Sequence, residues 1–281
     1  MRVLPDFLIV GAQRAGSTSL FDYVCRHPRV PAPSHKEIHF FDQNYFRGEG
    51  WYRSHFPTVL EREYLRRRHG APPLMGESSP YYLFHPQVPG RVRETLSEAR
   101  IVVLLRNPVE RAYSHYQLTR RRGHESLSFE DAIAAEPDRL AGEEERMERD
   151  PRYASVPHRF HSYVARGMYA DQLERWLAVF PCDRVLVLAS EELFAKPDET
   201  YGRTLAFLGL PGLRLDDYRQ LNRGGYEDMA PATRELLAER FREPNQRLYD
   251  LLDRDFGWES RERSAARSPG GKKPSVTSPS G

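Results

Sequence analysis

The chain has 281 residues, 39% of them apolar, which excludes both a disulfide-stapled mini-protein and a disordered segment. Its 42 basic and 40 acidic side chains leave a formal charge of +2, so there is no large positive field for coating nucleic acid. Thirty-eight of the basic residues are arginine and only Lys36, Lys196, Lys272 and Lys273 are lysine; arginine suits bidentate recognition of oxyanions.

Met1 leads directly into Phe7-Leu8-Ile9-Val10, an apolar run too short for a helix and lacking a signal-peptide pattern. No stretch of about 18 apolar residues follows, so a cytoplasmic protein without stable membrane insertion is expected. Residues 7–10 read as a strand, followed by a Gly-rich turn and a helix carrying Leu20, Phe21 and Val24. Residues 101–105, Ile-Val-Val-Leu-Leu, form a second strand buried on both faces, which breaks at Arg106-Asn107-Pro108. Pro108 suits the first position of a helix running through Tyr113 to about Arg121. Residues 125–161 read as an irregular helical insertion over one side of the sheet. A helix bearing Leu173, Trp176, Leu177 and Phe180, closed by Pro181, precedes a third strand at 185–188. Further helices are expected at 201–208, stopped by Gly209, and at 234–241 and 248–252. The alternation predicts an α/β fold, a single domain over 1–260 with a P-loop-like parallel β-sheet flanked by helices. The Ser, Pro, Gly and Lys residues of 261–281 read as a disordered tail. Cys25 and Cys182 have no metal-ligand spacing and are expected to be unpaired; no metal site is expected.

Two loops at strand ends carry anion-binding chemistry. Gly11 and Gly16 bracket Ala12, Gln13, Arg14 and Ala15, and Ser17, Thr18 and Ser19 open the next helix. Small residues let backbone N–H groups converge on a phosphate, and a helix start adds free donors and a positive dipole end. Nucleotide-triphosphatase loops place Lys directly after the second Gly, where this chain has Ser17. At the second loop, Arg106 leaves the carboxyl end of a buried strand, and Ser114 lies seven residues beyond Asn107, two turns up the same helix face. Arg106 and Ser114 are placed to hold a second phosphate; alternatively, Asn107 is only a helix cap beside a surface arginine.

A third block, Lys36-Glu37-Ile38-His39-Phe40-Phe41-Asp42, mixes acid and imidazole with apolar anchors. In an extended segment Glu37 and His39 share one face, and a carboxylate beside apolar groups is expected to have a raised pKa. The runs 66–68 and 120–122, all arginine, either face an acidic glycan or, as such runs more often do, form solvated helix faces. Trp51, Tyr52, Tyr81 and Tyr82 are either core or a stacking surface for an acceptor.

The segments GAQRAGSTSL, HKEIHFFD, VVLLRNPVERAYSHY and GMYADQLERWLAVFP, with RVLVLASEELFAKP and FLGLP, resemble in order the sulfotransferases that use 3′-phosphoadenosine 5′-phosphosulfate (PAPS). The likeness is to the branch of heparan sulfate N- and 3-O-sulfotransferases and makes 1–260 the sulfotransferase domain. It implies the PAPS sulfotransferase fold, with Gln13, Arg14, Ala15, Gly16, Ser17, Thr18 and Ser19 at the 5′-phosphosulfate and Arg106 and Ser114 at the 3′-phosphate. Arg223 and Gly224 correspond to a covering loop, although the Cys-bearing hairpin of the Golgi relatives is absent. Glu37 corresponds to the general base, with His39 and Asp42 shaping its site and Arg14 assisting the leaving group. The product is then adenosine 3′,5′-bisphosphate (PAP), no metal is required, and the acceptor is a glycan, lipid or small molecule. Two positions depart from the family: Arg14 and Ser78 stand where relatives carry Lys. A P-loop kinase using ATP and a non-catalytic nucleotide-binding module are the competing functions; the first lacks its loop lysine and the second has no use for the Glu37 block.

Overall fold

Three aliphatic runs and one short polar segment pair into a single parallel sheet in this computed structural model, which describes residues 1–221 and 225–259. The strands are β1 (Phe7–Gly11), β2 (Gly76–Ser78), β3 (Arg100–Leu105) and β4 (Val185–Ala189), in the order β2-β1-β3-β4. Phe7 pairs with Gly76 on one side and Arg100 on the other, and Ile101 pairs with Val185. β1 is buried throughout and β3 from Ile101 onward, as continuous Val/Ile/Leu runs in a covered parallel sheet require. The strands at 7–10, 101–105 and 185–188 are present, each one residue longer than expected. β2 has no apolar signature. Gly76 is needed there because a Cβ would run into the Phe7 ring.

The chain goes from β1 to β2 on one flank and then crosses to β3 on the other, so the order reverses between β1 and β3. Ligands of open α/β sheets bind beyond the carboxyl ends of strands at such a point. The helix Ser17–Cys25 follows β1, and Pro108–Arg121 follows β3 with Pro108 at its start. Tyr169–Leu177 buries Leu173 and Trp176 before β4, and Pro197–Leu208 ends on Gly209 at φ +70°, a left-handed stop. The two expected C-terminal helices are one continuous helix, Pro231–Leu252, which runs through Pro244. Its buried face, including Leu237, Phe241 and Leu248, is uninterrupted, so packing overrides the lost hydrogen bond.

The insertion is helical, with Phe129–Leu140, Glu143–Arg149 and Val156–Phe160. It does not lie on the sheet as expected. Phe129 and Ile133 join Val109, Ala112 and Tyr116 of the Pro108–Arg121 helix, and Phe241, in a second apolar core. The expected tail, 261–281, lies outside the described residues.

Gly76→Ala is expected to cost about 1–3 kcal/mol by overpacking Phe7. Gly90, helical and facing open space, is the control: Gly90→Ala is expected to be neutral or stabilising by up to about 1 kcal/mol. Denaturant melts of both variants check the pair.

Candidate active site

The β1 loop closes on Gly16 at φ +96°, a conformation that suits glycine; a Cβ there would also lie 2.9 Å from the Phe194 ring. Gly16 caps the Ser17–Cys25 helix without a side-chain cap hydrogen bond, and the start of a helix is an end that favours anions. Gln13, Arg14, Gly16, Ser17 and Thr18 line a cleft of about 600 Å³. Ala15 and Ser19 do not face it. The Ala15 N–H donates to Ala12 O at 3.1 Å, and the Ser19 hydroxyl is buried, accepting from Leu221 N at 2.9 Å.

Arg106 and Ser114 line the same cleft. Arg14 bridges the two loops, its Nε donating to Ser114 Oγ at 2.9 Å, while Arg106 Nη1 donates to the Arg14 carbonyl at 3.1 Å. Arg106 is anchored behind by Tyr169, whose hydroxyl donates to its carbonyl at 2.8 Å. Asn107 does cap its helix, accepting from Val109 N and Glu110 N. Arg121 and Arg122 are exposed and also border the cleft, so they are solvated charge placed where a ligand passes. The side chains at 66–68 lie on an exposed helix as expected. Arg223 and Gly224 lie outside the described residues.

Glu37 and His39 reach the cleft from a third direction. The segment is not extended as expected: His39 takes φ +53° and begins a π-helical turn, Phe40–Asn44. That bend brings Asp42 behind the imidazole. His39 Nδ1 lies 2.7 Å from Asp42 Oδ2, and its Nε2 lies 3.4 Å from Glu37 Oε2. The aromatic anchors hold the turn: Tyr82 Oη accepts from Phe40 N at 2.8 Å, and the Phe40 and Tyr52 rings stack at 4.4 Å. Tyr52 and Tyr82 are therefore core, whereas Tyr81 lines the cleft.

Three residues outside the expected set complete the arrangement. Lys36 Nζ donates to Thr18 Oγ1 at 2.5 Å and lies 3.4 Å from Glu37 Oε1, so one cation ties the acid to the anion loop. Arg166, in the cleft wall, donates to Gln13 Oε1. Glu77 is fully buried and accepts from Ser79 Oγ at 3.0 Å, while Ser79 Oγ accepts from His39 N at 3.3 Å. Only Lys36 carried a sequence signal, its place directly before Glu37 in a chain with so few lysines.

The protonation pattern differs from expectation. Burial acts to raise the Glu37 pKa, but hydrogen bonds and charge from His39 and Lys36 outweigh it and hold the carboxyl below its ordinary value. Burial also disfavours charge on His39, yet Asp42 and Glu37 hold it up at about 9. Near neutrality the site therefore holds a carboxylate beside an imidazolium. The raised acid is Glu77, pushed up to about 7 by burial against hydrogen bonding from its neighbours.

An anion loop, a second cationic loop across a parallel strand pair and an ionised carboxylate aimed between them suit group transfer from an anionic donor. Residues 4–223 match the family described as the sulfotransferase domain. The chain belongs to the sulfotransferase family. This sulfotransferase is similar to a sulfotransferase from Alicyclobacillus acidocaldarius with a crystal structure: 32% identity, TM-score 0.66, covering 91% of this chain and 99% of that one. It is also similar to the membrane-associated sulfotransferase kil1 of Dictyostelium discoideum, 25% identical over 92% of this chain and 67% of that protein. Mouse heparan sulfate glucosamine 3-O-sulfotransferase 3A1 is 28% identical over 91% of this chain and 65% of its own length. The chain thus spans about two thirds of these two relatives. The protein is therefore a sulfotransferase enzyme, similar to the heparan sulfate sulfotransferases among its relatives, and the kinase alternative is not favoured.

Because the folded pKa of His39 exceeds its ordinary 6.5, the stability it contributes is complete below about 6.5 and is lost as pH rises through about 9. Titration of the His39 imidazole by NMR is expected to give a midpoint near 9, and Asp42→Asn is expected to lower it. A midpoint near 6.5 that Asp42→Asn leaves unmoved contradicts the assignment.

Proposed function

We propose that this sulfotransferase moves a sulfuryl group from PAPS to a hydroxyl or amine of a glycan, glycolipid or small-molecule acceptor, with Glu37 as general base. The observation that carries the reading is the Lys36 bridge, which places Glu37 and Thr18 at opposite ends of one ammonium group. The residues suit the donor. The uncapped helix start, with Gly16, Ser17 and Thr18, supports the 5′-phosphosulfate; Arg106 and Ser114 support the 3′-phosphate; and the cleft of about 600 Å³ falls in the range of small-molecule sites.

When bound, PAPS supplies an activated sulfur whose bond to the 5′-phosphate oxygen breaks as the acceptor–sulfur bond forms, releasing PAP. Glu37 takes the acceptor proton, and its carboxylate is already ionised because His39 and Lys36 stabilise the charge. His39 stays protonated, its Nδ1 donating to Asp42 while its Nε2 faces and orients Glu37. Lys36, Arg14 and the helix N–H groups stabilise the charge that builds on the departing phosphate. The single domain over 1–260 and a cytoplasmic setting are part of this proposal; among the described residues no helix is long and apolar enough to cross a membrane. Arg121, Arg122 and Arg159 at the cleft favour an acceptor with anionic groups, and the relatives named for heparan sulfate glucosamine favour a glycan. Ser78, where those enzymes carry Lys, argues against heparan sulfate itself as the acceptor.

Glu37→Gln is expected to lower turnover about 100- to 10,000-fold while PAP binding stays intact. Undiminished turnover removes Glu37 from the base role. Calorimetry is expected to show PAP binding more tightly than ATP; the reverse order refutes the donor.

A further inference from the structure

Arg166 is 1% exposed, although it lines the cleft. Its guanidinium donates to Gln13 Oε1 and to the carbonyls of His158 and Arg159, and its Nε has no partner. None of these partners is a carboxylate. The rings of Tyr81 and Phe84 flank it at 4.9 and 5.1 Å. Burial lowers its pKa to about 9, so it remains a cation near neutrality. A buried guanidinium with no carboxylate among its hydrogen-bond partners is costly, and the fold retains it where its positive charge and fixed donors meet the anion loop.

The chemistry of the contact with Gln13 fixes an orientation. Guanidinium has donors and no acceptor, so the end of the Gln13 amide that meets Arg166 must be the carbonyl. The amide NH₂ is therefore turned away from Arg166, and no partner for it occurs among the described residues. Gln13 itself lines the cleft at the start of the anion loop. We propose that Arg166 is a positioning residue that locks the Gln13 amide with its NH₂ toward the transferring sulfuryl group, making Gln13 a donor to the sulfuryl oxygens. The His158 and Arg159 carbonyls hold the lock from the insertion, giving residues 125–161 a task at the site. The proposal rests on PAPS as donor.

The experiment compares PAP binding with PAPS turnover, because PAP has the phosphates and lacks the sulfuryl group. Gln13→Ala is expected to lower kcat about 30-fold or more, as loss of one oriented donor does, with PAP affinity within about threefold. Gln13→Glu keeps shape and the Arg166 contact but presents an acceptor oxygen, and is expected to lower kcat at least as far. Arg166→Met is expected to lower kcat in the parent and to add little in the Gln13→Ala background, since both remove one device. If Arg166→Met fails to fold in a melt, the two Gln13 variants decide alone. Parent-like kcat in Gln13→Glu, or an Arg166→Met loss of equal size in both backgrounds, overturns the lock while leaving the donor intact. A parent enzyme that neither binds PAP nor turns over PAPS overturns the donor reading, and the lock with it.

Discussion

Because β1 and β3 pair in parallel, with Phe7 opposite Arg100 and Gly11 opposite Val103, both strands end at the same edge of the sheet. The chain direction leaves no other place for the two loops: residues 12–16 and 106–107 emerge side by side, each feeding a helix that borders the cleft. The bond from Arg14 to Ser114 and that from Arg106 to the Arg14 carbonyl depend on this adjacency. A near-neutral chain can thus concentrate cations in one place, since the sheet brings together two arginines that are 92 residues apart in sequence.

The loop departs from nucleotide-triphosphatase loops by lacking a lysine after its second glycine, and the third segment supplies an ammonium group instead. Lys36 reaches Thr18 from the block that carries Glu37, so the cation near the anion loop and the proposed base belong to one short stretch of chain. The π-helical turn at Phe40–Asn44 and left-handed His39 set the spacing of that stretch. Glu77 and Ser79, at β2 and just beyond, brace it from beneath. The insertion braces it from the other side, where Arg159 donates to Gln43 Oε1 at 2.7 Å, and just beyond the insertion Arg166 holds Gln13 of the anion loop. The loops at the sheet edge, the Lys36–Asp42 block and the insertion each contribute to the wall of the cleft.

Much of this was legible in the residues because the relevant signals are local. Continuous apolar runs mark β1, β3 and β4, and the Gly spacing and the Pro108 break mark both loops. What escaped depends on tertiary contact. β2 is Gly-Glu-Ser, with no apolar run, and exists because Phe7 needs a bare backbone beside it. The Glu37 pKa has the opposite sign to that expected because apolar neighbours are visible in sequence, whereas the His39 and Lys36 contacts require a bend. Ser19 belongs to the same hydroxyl run as Ser17 and Thr18, yet helix geometry turns it inward to Leu221. Arg121 and Arg122 are solvated charge, and only the run of the Ser114 helix along the cleft shows that they border it.

The central claim is that one cleft holds a bisphosphorylated nucleotide in a single direction, with its 5′ end toward Glu37. A crystal structure of the enzyme with PAP tests it most directly. The account predicts the 5′-phosphate at the N–H groups of residues 16–18, beside Lys36, and the 3′-phosphate on Arg106 and Ser114. A nucleotide bound in the reverse direction, or outside this cleft, would contradict it.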